Sequence, residues 1–429
     1  MSEILLKKRN IVLIVLGLFF FLFSVKFTFL PVHSYIIVLL IGFIYVIIDY
    51  IKNRNFSLVI TSEIRNLSYI FLLLLFWILI SYCFNGFEDP YMIKKITALF
   101  IKSILCSMIF VYIFLKFKVT FKDLILYLQI IVFIQALFVL LYFISIDFKE
   151  WTLEFIPAAG NLDPRVDFRS RGLMNGASAT GALMISFGLI FTAYLVIISE
   201  IRKRLFIYLS ISFILILFSI FLIGRTGFLM VPFVGIYFLF LYIYKKEFRQ
   251  NIKTFIGYTC IYLIIGVIFL VILNYFKLLT MDLTKFNTVL SWVTNEVNFS
   301  NGNVEVNTLK ILSTHWFIPH DVKTFLFGNP SSFSEERISS DIGFIRILYG
   351  FGLIGGLVFY GFYIYAFFKM IQKMDKIEEK LIIVIFAILL FITEIKEPFL
   401  FKVSINSFVI LLFLFIHLSP SCNKKLVRS

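Results

Sequence analysis

Charge is what this chain has least of. Of its 429 residues only 15% are Asp, Glu, Lys or Arg, while 61% are hydrophobic. That leaves far too little polar surface to cover a water-soluble globule of this size. Cysteine and histidine are equally scarce, four of each. Cys83, Cys106, Cys260 and Cys422 are scattered singly, with no paired spacing of the kind that a zinc site or a disulfide framework requires. No metal and no cofactor are expected. There is no glycine-rich phosphate-binding loop, so no nucleotide fuel is expected either. No small-residue cleavage site follows the first apolar stretch, which is therefore expected to stay as a helix rather than be removed as a signal peptide.

What is present in excess is phenylalanine, 56 residues of it, in a chain of mean hydropathy +0.98. A helical crossing needs about 20 apolar residues, whereas barrel strands would show as ten-residue alternations. Apolar spans run near Ile11–Leu30, Tyr35–Ile51, Leu67–Phe84, Ile96–Leu115, Leu124–Ile146, Gly172–Ile198, Leu205–Ile223, Phe228–Tyr244, Thr254–Phe276, Ile342–Phe368, Leu381–Ile395 and Phe399–Leu418. The sequence thus predicts a single polytopic domain over residues 1–429, an all-α integral membrane protein with about twelve crossings.

Basic residues resist translocation, so their placement in short loops predicts orientation. Every second connection is basic, from Lys7, Lys8 and Arg9 at the start, through Lys245, Lys246, Arg249 and Lys253, to Lys424, Lys425 and Arg428 at the end. Both termini are expected in the cytoplasm. The net charge of +15 then reads as a topology signal and headgroup anchor, not as a nucleic-acid surface.

Two long segments fall on the external side: residues 147–171, and the large loop 277–341 between the ninth and tenth spans. The first contains "DPRVDFRSRG", with Arg165, Arg169 and Arg171. External arginines work against the orientation rule, which favours a functional role over a merely solvated loop. Arg165, Asp167, Arg169 and Arg171 are spaced by two and would form, on one face of an extended backbone, a row of cations with one internal anion. The row leads into "GLMNGASATGALM", whose small residues suit close helix packing. Asn175 there could present an amide or backbone N–H groups to an anion at a helix N-terminus.

Arg225, in the short turn "IGRTG", is a further external cation aimed at the same bundle mouth as Arg171. Lys26 and Lys102 are expected to snorkel to headgroups. The large loop carries His315, His320, Asp321, Arg337 and Asp341. The spacing of the two histidines fits no zinc motif, which leaves them as proton acceptors or plain loop residues. In "TEIKEPFLFK" the charges Glu394, Lys396 and Glu397 read as a mutually neutralising turn.

About twelve spans, an external loop ending "RGLMN", a short "GRTG" turn and a large loop ending "FGNPSS…SDIGFIRILYGFGLIGG" together resemble the O-antigen polymerase (Wzy) family, within the wider group that includes the O-antigen ligases. The resemblance implies a GT-C-like membrane glycosyltransferase of the bacterial cytoplasmic (inner) membrane. Its substrates would be oligosaccharide repeats carried on undecaprenyl diphosphate, donor and acceptor alike. A chain-length regulator and a flippase would be partners, and the product would be the polysaccharide of lipopolysaccharide O antigen or capsule. Arg169, Arg171 and Arg225 would hold the diphosphate, with Arg165 and Arg337 as second choices, because guanidinium is permanently charged and bonds phosphate oxygens bidentately. Asp341, His315 and His320 are the candidates for the base.

Ligases of this group place a His–Asn pair where this chain reads Ser340–Asp341, a departure that favours polymerase over ligase. The rival of another class is a flippase or other transporter. Against it stand the external charge and the expectation of no inverted repeat and no pair of interrupted helices. In intact cells an impermeant thiol reagent is expected to label Asn301→Cys and to spare Arg249→Cys. The opposite pattern would invert the topology.

Overall fold

The computed structural model describes residues 2–30, 32–53, 62–157, 169–174, 179–198, 203–275, 291, 297–300, 303–306, 312–333 and 340–419. They divide into two compact units, Met1–Ile37 with Thr120–Thr294, and Val38–Val119 with Asn295–Ser429.

The helices of the first unit are α1 (Ser2–Phe23), α6 (Phe121–Ile144), α7 (Ile146–Phe155), α8 (Ala179–Ile198), α9 (Lys203–Ile223), α10 (Met230–Tyr244) and α11 (Phe248–Tyr275). A 3₁₀ turn, Arg225–Leu229, joins α9 to α10. α2 (Ser34–Asn53) leads into the second unit, which holds α3 (Ser62–Asn85), α4 (Tyr91–Leu99) and α5 (Ser107–Lys116), α12 (Val322–Phe327), α13 (Gly343–Lys373), α14 (Ile377–Thr393) and α15 (Val403–Leu418). A π-helical stretch, Phe100–Cys106, makes α4 and α5 continuous. The one sheet among the described residues is an antiparallel hairpin, β1 (Val297–Ser300) with β2 (Asn303–Val306), in which Ser300 faces Asn303.

Among the described residues nine helices are long and apolar enough to cross a membrane: α2, α3, α4 to α5, α6, α8, α9, the 3₁₀ turn with α10, α11 and α13. The other three expected spans fall on shorter helices. The apolar part of α1 is Ile11–Phe23, α14 has 17 residues and α15 has 16. Sixteen residues reach only about 24 Å, against a hydrocarbon core of about 30 Å.

One wholly buried helix centres each unit. In the first it is α8, buried at every residue from Gly181 to Ile197 and packed by α6, α9, α10, α11 and the 3₁₀ turn. In the second it is α15, buried from Ile405 to His417 and packed chiefly by the π-helical stretch, α5 and α13. Both sequences are apolar on all sides, as a helix without an exposed face must be.

α15 runs parallel to α5, with Ser407 Oγ 3.1 Å from Ser103 Oγ and Phe415 5.7 Å from Phe114. It therefore begins opposite Leu99, about two turns into a helix that starts at Tyr91. Lys102 is buried in this seam and donates to Ser404 Oγ at 3.5 Å. This corrects the expected snorkelling. Lys102 sits midway along a 26-residue helix, farther from either end than its side chain extends.

No pair of Gly- or Pro-interrupted helices was expected, and among the described residues one helix is broken at a glycine. Besides the π-helical stretch and the 3₁₀ turn, α13 breaks at Gly352, whose φ is +70°. Its first arm, Gly343–Phe351, folds back on the second, bringing Phe344 to 5.1 Å from Tyr360 and Phe351 to 5.6 Å from Phe359. Only the second arm reads as a crossing. The break releases backbone carbonyls that hydrocarbon cannot satisfy. Trp77 Nε1 donates to Phe351 O at 2.7 Å, and Asn329 N donates to Tyr349 O at 2.6 Å. Gly328, with φ +76°, lies against Gly352 so closely that neither could carry a Cβ.

Gly352→Ala is expected to destabilise the protein by well over about 1 kcal/mol, through both its positive φ and the collision with Gly328. Gly356→Ala is the control, because the nearest atom to its added Cβ is 3.5 Å away. Thermal unfolding in detergent should separate the two.

Candidate active site

In the first unit, α7 occupies the start of the arginine-bearing segment. It begins with Ser145, whose Oγ accepts from Phe148 N at 3.1 Å, and it ends in carbonyls that need donors. Arg171 supplies them, Nη2 donating to Thr152 O at 3.1 Å and to Ile156 O at 2.7 Å. Thr28 N donates to Phe155 O at 2.9 Å. Arg171 is buried, with its guanidinium 5.9 Å from the Tyr142 ring of α6. Burial lowers its pKa, and contact with Tyr142 opposes that shift. The cation thus caps a helix C-terminus, where a positive charge is favoured.

The turn that places Arg171 depends on Gly172. Its φ is +57°, and a Cβ there would stand 2.7 Å from Gln135 Nε2. Gln135, buried in the middle of α6, donates to Arg171 O at 3.2 Å.

Arg169 has a different neighbour. Ser170 N donates to Leu222 O at 3.1 Å, which lays this strand along the end of α9, just before Arg225. Arg169 and Arg225, both half-buried, come close enough for their charges to repel. Of the predicted row, Arg169 is near enough to Arg225 to feel its charge, while Arg171 turns to α7. Arg165 and Asn175 lie outside the described residues. Close packing of the small residues is observed. A Cβ on Gly227 of the 3₁₀ turn would stand 2.8 Å from Ala182 O of α8.

In the second unit, two candidate base residues meet. Asp341 N donates to His315 Nδ1 at 3.3 Å, Ser340 Oγ donates to His315 O at 3.0 Å, and Ile342 N donates back to Ser340 Oγ at 3.2 Å. Leu312, Ile342 and Ile345 pack beneath them with Phe317, Phe344 and Tyr349. Since Nδ1 accepts from a backbone N–H, the neutral His315 ring carries its proton on Nε2. A second proton on Nδ1 would break the bond to Asp341. The Asp341 carboxylate is exposed and forms no ion pair among the described residues. His320 is exposed and is not brought to this pair. Asp321 caps α12, where the N–H and hydroxyl of Thr324 hold its carboxyl below the usual range. Arg337 lies outside the described residues.

Glu394, Lys396 and Glu397 were expected to neutralise one another in a turn. Glu397 lies 3.6 Å from Lys402. Glu394 is instead fully buried, accepting from Tyr360 Oη at 2.9 Å and from Leu400 N at 2.6 Å. Its carbonyl accepts from Gly343 N at 2.8 Å. One residue thereby ties together both arms of α13, two positions after Asp341. Sequence reasoning missed Gln135, Tyr360 and the burial of Glu394. The available signal was a polar residue inside an otherwise apolar span, which marks a functional or structural contact.

Arg171→Ala is expected to cost about 1–3 kcal/mol, because it strands Ile156 O, while Thr152 O keeps its bond from Ile156 N. Arg171→Lys, which keeps a donor at this position, should cost less, and unfolding midpoints of the purified protein would show the difference. No protein-family model matches the chain, no curated protein is significantly similar to it, and no solved structure matches it.

Proposed function

We propose that the chain is a membrane glycosyltransferase that polymerises lipid-linked oligosaccharide repeats, an O-antigen polymerase of the bacterial cytoplasmic membrane. The observation that carries this reading is the Arg169–Arg225 pair. Arg169 and Arg225 are both half-buried near the end of α9 and close enough for their like charges to repel, a repulsion that a bound anion would relieve. A diphosphate suits two planar forks of donors. In the proposed topology both termini are cytoplasmic, all twelve apolar helices belong to the membrane bundle, and the arginine pair and the Leu312–Asp341 segment are external.

In the reaction, a hydroxyl of the acceptor sugar attacks the anomeric carbon of the donor. The bond from that carbon to the diphosphate oxygen breaks, and undecaprenyl diphosphate leaves with the electron pair. Arg169 and Arg225 stabilise the growing negative charge. Asp341, whose carboxylate is exposed and forms no ion pair among the described residues, is the proposed acceptor of the hydroxyl proton, and His315 holds its backbone. Arg171 keeps the arginine segment folded.

Arg169→Ala and Arg225→Ala are expected to leave abundant, inserted protein and little or no long polymer, with lysine rescuing poorly at either site. Asp341→Asn is expected to leave single repeats, with a loss of about 100-fold to 10,000-fold. Full polymer ladders from both lysine variants would reduce the arginines to general charge. A normal ladder from Asp341→Asn would remove it as the base.

A lipid-linked oligosaccharide transporter is the second reading, favoured by the buried Lys102 in its π-helical stretch and by the broken helix at Gly352, since interrupted helices and buried charge mark transport paths. A polymerase variant accumulates single repeats on the external face, whereas a transporter variant retains them on the cytoplasmic face.

A further inference from the structure

Between Leu312 and Phe327 the second unit carries an apolar face that its own fold leaves uncovered. Trp316 is 54% exposed, Ile318 59% and Val322 69%. The residues alternating with the first two turn inward: Phe317 meets Tyr349 edge-on at 5.7 Å, and Pro319 is buried. Extended backbone alternates sides with a period of two, so Trp316 and Ile318 point together away from the unit.

The level of this face is set by α3. Phe327, at the end of α12, stacks on Trp77 at 5.8 Å and lies 4.7 Å from Phe84. Gly328 O accepts from Ser81 Oγ at 2.8 Å and from Asn85 Nδ2 at 2.6 Å. α12 is thus fastened along the last turns of α3, a helix long and apolar enough to cross the bilayer. The outward stripe of α3, made of Tyr69, Leu72, Leu73, Phe76 and Leu79, is exposed at helical spacing and continues to exposed Phe84 and Phe87. On a helix long and apolar enough to cross the bilayer, such a stripe suits lipid. Val322, five residues before Phe327, is within about 8 Å of it along the helix. The uncovered face therefore adjoins the lipid-facing surface at the level where α3 leaves the hydrocarbon.

We propose that Trp316, Ile318 and Val322 insert into the interfacial layer of the bilayer leaflet at the Asn85 end of α3, so that this segment is a membrane foot. The occupant is the lipid that the same unit already faces along α3. An indole ring with its N–H fits the headgroup boundary, and exposed His320, Asp321 and Lys323 supply the polar side of an interfacial segment. The foot fixes the depth of His315, which adjoins Trp316 in sequence and holds Asp341 N. The assignment goes beyond the proposed reaction and does not depend on it.

The test uses the full chain in phosphatidylcholine nanodiscs, with and without bromine on the upper acyl carbons. The emission of Trp316 is obtained as wild type minus Trp316→Phe. It is expected to be quenched by the brominated lipid and little affected by aqueous acrylamide. Quenching by acrylamide alone would overturn the proposal, as would protection from both quenchers, which would mean that protein covers the face. In a second arm, Ile318→Asp with Val322→Asp is expected to raise acrylamide access to Trp316 at least several-fold without moving the unfolding midpoint. Unchanged access in that variant would also overturn it.

Discussion

A backbone N–H or C=O in hydrocarbon has no water to turn to, so every helix end and every break must find its partner in the protein. That constraint governs where this chain places its few polar side chains. Arg171 and Thr28 take the last carbonyls of α7. Asn251 Nδ2 takes Val196 O and Ile197 O at the end of α8. Trp77 and Asn329 take the carbonyls released at Gly352. Glu394 receives Gly343 N and Leu400 N where α13 begins and α15 is approached. An irregular backbone is tolerated at each of these places because it is buried in protein and fully bonded.

The same constraint separates structural charge from charge left for chemistry. A guanidinium whose donors are directed at two backbone carbonyls is a cap, and its removal leaves Ile156 O without that donor while Thr152 O keeps Ile156 N. Two guanidiniums brought near each other repel instead. Arg171 belongs to the first class and Arg169 with Arg225 to the second, although all three look alike in the sequence. Histidine divides in the same way. His315 has its Nδ1 committed to the Asp341 backbone N–H, while the Asp341 carboxylate is exposed.

The membrane class, the helical architecture and the approximate position of most spans were legible, because burial in lipid needs only length and apolarity. The hairpin β1–β2 was not expected within the large loop of an all-α chain. Nor was the fold-back at Gly352. The apolar run from Ile342 to Phe368 is continuous, and nothing local distinguishes a kink glycine from the packing glycines Gly350, Gly355 and Gly356 around it. Lys102 misled for a similar reason, since an isolated lysine in a span reads as snorkelling unless its depth and its neighbour Ser404 are known.

Composition and basic-residue spacing alone determined that this is a polytopic helical membrane protein, and they marked the arginine segment and the end of the large loop as its unusual polar stretches. Which arginines meet was decided only in three dimensions. The bond from Ser170 N to Leu222 O, the left-handed turn at Gly172 and the break at Gly352 join residues far apart in the chain or rest on backbone dihedrals. Hydropathy measures how much a side chain prefers lipid. It carries no information about which distant carbonyl will need its donor.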